Sequence, residues 1–206
     1  MKGIFITFEG SEYCGKSTQS KLLYEYLKGQ GRRVIFLREP GGTAVSEKIR
    51  ELLLDPGNSS IAAETELLLY MASRAQTVRE VIMPALQKGA IVVCDRFLDS
   101  TVVYQGYGLG MDKRFIMQLG RFATAGIKPD LTILLDLPLK QALGGISRKK
   151  DRIERRSFAY HRRVKQGYLA LARQEPKRIK IVKLASDIQT TQAAIRRLVD
   201  AVVGER

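Results

Sequence analysis

The stretch that decides the fold is residues 3–18, GIFITFEGSEYCGKST, in which a short apolar run leads into a loop bounded by glycines. From Gly10 to Ser17 it fits the pattern G-x-x-x-x-G-K-[ST]. An amphipathic stretch, residues 16–28, follows directly and ends at two glycines. The order predicts a β-strand, a phosphate-binding loop and a helix, which is the context that this pattern requires.

The residue types of the loop suit phosphate binding. Glycines let backbone N–H groups converge on phosphate oxygens, and the helix N-terminus adds the positive end of its dipole. Lys16 supplies a point charge for the β- and γ-phosphates, and Ser17 offers a hydroxyl to Mg²⁺. The pattern predicts a nucleoside triphosphate site but does not say which reaction it serves. The predicted phosphate-binding residues are Gly10, Ser11, Glu12, Tyr13, Cys14, Gly15, Lys16, Ser17 and Thr18.

Apolar runs and helical patterns alternate along the rest of the chain. The runs are residues 3–8, 34–37, 90–94, 131–135 and 179–184. The first four lack polar alternation, which is typical of parallel strands buried on both faces, whereas the fifth alternates and is predicted at an edge. Helices are predicted at residues 16–28, 44–54, 63–88, 112–125 and 187–203, with Pro84 kinking or splitting the third. The class is therefore α/β, with ligands expected at the carboxyl ends of the strands.

Composition narrows the possible functions. Two cysteines exclude a disulfide framework and a four-cysteine zinc site, and the single histidine excludes a His-rich metal site. The longest apolar run is too short to span a membrane, and the N-terminus lacks the layout of a signal peptide, so we expect a cytoplasmic protein. The formal net charge of +14 indicates anionic partners. Residues 148–165 are the most basic segment, either as a solvated helix face or as an arm that meets phosphate.

Longer stretches resemble the bacterial thymidylate kinases, and the motifs of GTPase switches are missing from the sequence. The resembling stretches are FEGSEYCGKST (8–18), REPGGT (38–43), LLLYMASRAQ (67–76), DRFLDSTVVYQG (95–106), PDLTILLDLP (129–138) and DRIE (151–154). The resemblance implies a P-loop kinase fold with a five-stranded parallel sheet, in one domain over residues 1–206 with a short lid at about 144–156. It implies transfer of the ATP γ-phosphoryl group to dTMP, a requirement for Mg²⁺, a homodimer and no specific nucleic-acid partner.

The resemblance also implies residue roles at the acceptor. Arg96 and Arg38 are expected to hold the dTMP phosphate, a task that suits a planar guanidinium. Asp95 is expected near Mg²⁺ together with Ser17, and Glu12 near the 3′-OH. Tyr70 is expected to stack on thymine, and Tyr104 to lie under the deoxyribose. The full set expected at dTMP is Glu12, Arg38, Tyr70, Arg74, Arg96, Ser100, Thr101, Tyr104 and Gln105.

In this family a P-loop without a basic residue at its variable positions accompanies catalytic arginines in the lid. The variable positions here, residues 11–14, are not basic, so Arg148 and Arg152 are expected to act with Lys16 and Arg96 in catalysis. The glycine pair Gly144-Gly145 departs from the family, which commonly has an arginine near the second position.

Two other functions remain open on the sequence. One is a different pyrimidine nucleoside monophosphate kinase with the same fold. The other is a P-loop nucleic-acid-binding protein with little turnover, which only the net charge and the altered lid favour.

Overall fold

The computed structural model describes residues 3–138 and 150–204. Its strands form one parallel sheet of five, ordered β2-β3-β1-β4-β5. They are β1 (Ile4–Glu9), β2 (Val34–Arg38), β3 (Ile91–Asp95), β4 (Leu131–Asp136) and β5 (Ile179–Lys183). The α/β class and all five predicted strands are confirmed. Arg148 and the glycine pair Gly144-Gly145, which the sequence analysis singled out, lie outside the described residues.

The position of each strand in the sheet explains its burial. Every residue of β1 and β3 is buried, because neighbouring strands flank both edges and helices cover both faces. Strand β5 lies at one edge, as its alternating pattern predicts. Strand β2 lies at the other edge and is only partly buried, so the prediction that it is buried on both faces is wrong. Its apolar sequence alone did not distinguish the edge from the centre.

Helices pack on the two faces of the sheet. They are α1 (Lys16–Gly29), α2 (Ala44–Leu54), α3 (Ala63–Thr77), α4 (Met83–Gln87), α5 (Leu98–Thr101), α6 (Lys113–Ala123), α7 (Phe158–Gln174) and α8 (Ile188–Gly204). Ile4, Ile6 and Phe8 of β1 pack into the core beneath α1 and α8, whereas Phe5 packs into the core on the other face. This division follows from the period of two along a strand. None of the described helices is both long and apolar enough to cross a membrane.

Two π-helical segments interrupt the helical pattern. Val78–Ile82 joins α3 to α4 immediately before Met83 and Pro84, so the long helical stretch is split where the proline predicted it. Val102–Gly108 continues α5, and the sequence reading did not identify this helical region. It carries several expected substrate contacts into the site. Such segments are frequent at functional sites.

The two described parts of the basic segment 148–165 have different surroundings. Helix α7 begins at Phe158, with Tyr160, His161 and Val164 buried and Arg162 on the exposed side. The reading as a solvated helix face therefore holds for residues 158–165. Residues 151–156 instead pack against the end of α2, where the Arg152 amide donates to the Leu54 carbonyl at 3.1 Å. The described part of the segment is folded onto the domain rather than extended as an arm.

Candidate active site

A cavity of about 540 Å³ opens beyond the carboxyl ends of β1, β2 and β3. This is the edge at which ligands bind in parallel sheets. Its lining includes most of the residues that the sequence predicted. They are Glu12, Tyr13, Gly15, Lys16, Ser17, Thr18, Arg38, Tyr70, Arg74, Asp95, Arg96, Ser100, Thr101, Tyr104 and Gln105.

The glycine loop wraps the N-terminus of α1. Gly10 and Gly15 have φ angles of 143° and 78°, which a residue with a Cβ adopts only under strain. A Cβ on Gly10 would also lie 2.5 Å from the Leu135 carbonyl oxygen and 2.7 Å from the Cys14 sulfur. Cys14 is fully buried and acts as a small spacer inside the loop. Lys16 folds back so that its Nζ donates to the Ser11 carbonyl at 2.5 Å.

Ser17 and Asp95 meet beside the loop. The Ser17 hydroxyl donates to the Asp95 carboxylate at 2.5 Å, and both residues line the cavity. Within residues 3–138 and 150–204, no group of three His, Cys, Asp or Glu side chains is placed to hold a metal. Mg²⁺ commonly takes one or two protein oxygens and completes its shell with waters and substrate phosphates. The Ser17–Asp95 pair fits such a substrate-completed site.

Arg96 is the central cation of the site. Its φ of 71° turns the residue sharply after β3. Its Nη2 lies 2.8 Å from the Glu12 carboxylate, and its Nη1 donates at 3.1 Å to the Gly10 carbonyl and to the hydroxyls of Ser100 and Tyr168. Burial disfavours its charge, but the charge of Glu12 and nearby phenols raise the Arg96 pKa well above its ordinary value. Arg96 therefore keeps its positive charge, with Glu12 as its present counter-charge.

Glu12 has the partner that an acid in a phosphate loop requires. Burial by itself would raise the Glu12 pKa. The charges of Arg96 and Lys16 and a 2.7 Å hydrogen bond from the Tyr104 hydroxyl outweigh burial and lower the pKa to about 2. The carboxylate is therefore ionised across the physiological range. It neutralises Arg96 where no phosphate is bound.

Glu9 is a buried acid beside Arg96 that the sequence analysis did not include in the site. Its buried carboxylate accepts from the Phe97 amide at 2.8 Å, the Ser100 hydroxyl at 2.6 Å and the Tyr168 hydroxyl at 2.8 Å. Burial and the charge of Asp99 raise its pKa to about 7, against the opposing charge of Arg96 and its hydrogen bonds. Glu9 fixes both hydroxyls that hold Arg96. The only sequence signal was an acid ending a buried strand.

Arg74 is buried behind the expected base pocket. Its Nε donates to Glu39 at 2.7 Å, its Nη1 to the Thr101 hydroxyl at 2.9 Å and its Nη2 to the Phe97 carbonyl at 3.1 Å. Burial raises the Glu39 pKa, and Arg74 opposes this shift. The guanidinium still borders the cavity, but most of its donors already have partners within the protein.

Other residues expected at dTMP border the same cavity. Tyr70 lies one turn before Arg74 on α3, and both border the cavity, as their spacing predicts. Burial and the charge of Glu66 raise the Tyr70 pKa. The amide nitrogen of Gln105 donates to Glu66 at 2.8 Å. Arg38 lies at the rim, half-exposed and 3.2 Å from Glu47.

Arg152 does not lie where the sequence reading placed it. Its Nε donates to the Leu53 carbonyl at 2.7 Å, and its Nη2 lies 2.6 Å from Glu66. These contacts bury the guanidinium beside Glu66, and Arg152 is not among the residues that line the cavity. A charge this deep requires a compensating anion, which Glu66 supplies. Arg156 binds the same carboxylate at 2.6 Å, and the sequence offered no local signal for either contact.

The fold and the site together define a class. Three features define a P-loop nucleotide kinase: a phosphate loop after the central strand β1, an arginine at the end of the neighbouring strand β3, and a cavity that both border. Residues 8–195 match the family described as thymidylate kinase.

Individual members of that family match this chain over almost its full length. The chain is 47% identical to the thymidylate kinase of Symbiobacterium thermophilum over 98% of this chain and 95% of that protein. It is 49% identical to the thymidylate kinase of Geotalea daltonii, over 98% and 97% respectively. The crystal structure of thymidylate kinase from Ehrlichia chaffeensis superimposes with a TM-score of 0.79, at 33% identity, covering 97% of this chain and 99% of that one. The chain belongs to the thymidylate kinase family.

Proposed function

We propose that the cavity transfers the γ-phosphoryl group of ATP to dTMP, giving dTDP and ADP. The observation that carries this proposal is the placement of the phosphate loop and Arg96 on the same cavity, with Glu12 between them. Phosphoryl transfer requires little covalent chemistry from the protein, so positioning and charge stabilisation supply most of the catalysis. Membership of the family favours dTMP over the acceptor of another pyrimidine kinase and over a nucleic-acid-binding role.

The donor end is built by residues 10–18. Their backbone N–H groups and the N-terminus of α1 would bind the ATP phosphates, and Lys16 would leave the Ser11 carbonyl to bind the β- and γ-phosphates. Ser17 and Asp95 would hold Mg²⁺, which neutralises charge on the transferred group when it is bound.

The acceptor end is built around Arg96. An arriving phosphate would replace the Glu12 carboxylate on the guanidinium and free Glu12 for the 3′-OH of the sugar. Arg38 would reach in from the rim as a second contact. Tyr104 would lie under the deoxyribose, because its ring already packs beneath the Arg96 guanidinium at 5.0 Å.

The base would lie between α3 and the π-helical segment. Tyr70 would stack on the ring, and Thr101 and Gln105 would meet its edge. Arg74 would support the pocket mainly through its bond to Thr101. Ser100 would position Arg96.

Residues 144–156 would act as the lid of a single domain. Arg148 is the catalytic arginine that we assign to it. Arg152 would first have to leave Glu66 to reach the phosphates, so we assign it to the support of the base pocket instead. Closure of a lid excludes water, which otherwise hydrolyses ATP.

A cytoplasmic homodimer is part of the proposal. Large apolar side chains remain exposed on adjacent helices: Leu52 on α2, Leu68 on α3, and Phe115 and Phe122 on α6. Exposed apolar patches mark interaction surfaces. Light scattering after size exclusion would give twice the chain mass of 23.1 kDa for a dimer.

A coupled ADP-release assay tests the reaction. ATP and Mg²⁺ would be offered with dTMP, dUMP, dCMP, UMP, AMP or GMP. We expect strong turnover with dTMP. Turnover with a different monophosphate would retain the fold and replace the base-pocket assignments. No turnover with any acceptor, together with tight and salt-sensitive binding of DNA, would favour the nucleic-acid-binding alternative.

A further inference from the structure

Glu66 collects three groups behind the base pocket. It lies in the first turns of α3 and its side chain is fully buried. One carboxylate oxygen accepts from the Gln105 amide nitrogen at 2.8 Å. The other lies 2.6 Å from both Arg152 and Arg156. No role for this carboxylate follows from the phosphate chemistry of the site.

The partners of Glu66 fix which way the Gln105 amide points. Two guanidinium groups, which can only donate, face this carboxylate, so its oxygens act as hydrogen-bond acceptors. The Gln105 atom that faces it must therefore be the nitrogen. Gln105 borders the cavity, and with its nitrogen bound to Glu66 the amide oxygen is the side-chain acceptor that it can offer there.

Thr101, four residues earlier on the same helical face, is fixed in the opposite sense. Its hydroxyl oxygen accepts from Arg74 at 2.9 Å, and a guanidinium can only donate. The hydroxyl proton is therefore free to point towards the cavity. Because Thr101 accepts from Arg74, its hydroxyl can donate to the base. Because Gln105 donates to Glu66, its amide oxygen can accept from the base.

This fixed pair matches one type of pyrimidine edge. Thymine and uracil present a carbonyl acceptor, O4, next to a donor, N3–H. Cytosine presents the reverse, an amino donor next to an N3 acceptor. A reversed edge would set donor against donor and acceptor against acceptor, which binding sites reject strongly.

We propose that Glu66 is a specificity-determining positioning residue, which excludes cytosine by holding the Gln105 amide in one orientation. The inference rests on the proposed function, because it takes dTMP as the acceptor. It extends that function by giving two neutral side chains, Thr101 and Gln105, a part in telling thymine from cytosine.

The test compares acceptor ratios in Glu66→Gln. Glutamine can donate or accept, so the Gln105 amide is free to turn. We expect the ratio of kcat/KM for dTMP to that for dCMP to fall at least about 10-fold. The ratio for dTMP to dUMP should stay within about 2-fold of wild type, because both bases present the same edge. Glu64→Gln, an exposed acid on the same helix, is the matched control and should change neither ratio.

The outcomes separate this inference from the proposed function. Equal losses with dTMP and dCMP in Glu66→Gln would mean that Glu66 only supports the fold, and would overturn the inference while the reaction stands. Wild-type enzyme that uses dCMP as well as dTMP would overturn it in the same way. Wild-type enzyme that uses neither would overturn the proposed function and the inference with it.

A second measurement covers the case in which Glu66→Gln does not fold. The side-chain amide signals of Gln105 in ¹⁵N-labelled wild type are assigned by their loss in Gln105→Met. We expect exchange of these amide protons, without nucleotide, to be at least about 10-fold slower than that of the exposed Gln189. Exchange as fast as that of Gln189 would show that Glu66 does not hold the Gln105 amide, and would overturn the inference.

Discussion

The two ends of the cavity hold buried acids in different ways. At the base end, Glu66 faces two guanidinium groups and Glu39 faces a third, so each charge is matched within the protein. At the phosphate end, Glu9 takes its hydrogen bonds from neutral donors, the amides and hydroxyls of Phe97, Ser100 and Tyr168. The base end has a fixed pattern of charge, whereas the charge of the phosphate end responds to its surroundings.

This difference fits what each end must do. A base is neutral and is recognised by a rigid pattern of donors and acceptors, which matched ion pairs hold in place. A phosphate brings charge with it, so its site must release a counter-charge when the ligand arrives. The Arg96–Glu12 pair, with both side chains partly exposed to the cavity, is placed for that exchange.

The largest effect at the phosphate end is expected from Arg96→Ala, which removes the cation that Glu12 neutralises and that the phosphate would bind. We expect kcat/KM for dTMP to fall about 10³-fold, since one preorganised donor to a charged group is worth that order. The coupled assay measures this loss, and Arg121→Ala on the exposed side of α6 is the control. Wild-type activity in Arg96→Ala would remove Arg96 from the acceptor site.

The next test uses pH, because Glu9 and Glu12 shift in opposite directions. The Glu9 pKa is raised from 4.5 to about 7, so the folded protein holds the proton more tightly than the unfolded chain. Its contribution of about 3 kcal/mol is fully present below pH 4.5 and is lost as the pH rises through 7. The Glu12 pKa is lowered to about 2, so its contribution is present above pH 4.5 and is lost as the pH falls through 2.

Urea unfolding of wild type and Glu9→Gln between pH 4.5 and 8 measures the first effect. The difference in the free energy of unfolding between the two proteins should change with pH across this window, in favour of the wild type at the acid end. A difference that stays constant would show that Glu9 does not titrate there.

A smaller effect is expected from Tyr104→Phe, which sharpens the role of Glu12. The change removes the 2.7 Å hydrogen bond to the Glu12 carboxylate and leaves the ring in place. We expect a loss of about 1 kcal/mol in the free energy of unfolding, and a raised KM for dTMP. An unchanged KM would argue against a contact between Glu12 and the acceptor sugar.

The smallest effect is expected at the base end from Tyr70→Phe. Stacking depends on the ring and not on the hydroxyl, so kcat/KM for dTMP should stay within about 3-fold of wild type. Tyr70→Ala should lower it by more than 10-fold, or about 1.4 kcal/mol. Equal effects of the two changes would assign the role to the hydroxyl and not to the ring.

Local patterns predicted most of the fold. The apolar runs located all five strands, and the loop pattern located the turn from β1 to α1 within residues 10–17. The helical region 98–108 was missed, because its first turn is short and its continuation is π-helical, which lacks the ordinary helical period. The edge position of β2 was also missed, because an apolar run has the same sequence pattern in an edge strand as in a central strand.

The sequence by itself determined the sheet, the phosphate loop and which residue types face a nucleotide, because these depend on neighbours within a few positions. Only the tertiary structure decided the charge environment of each side chain. Glu9 meets Tyr168 across 159 positions, and Glu66 meets Arg156 across 90. Burial and the charge of Asp99 raise the Glu9 pKa, and distant partners place Arg152 behind the base pocket and orient Gln105. The energy of a charge depends on everything packed around it, which no local pattern contains.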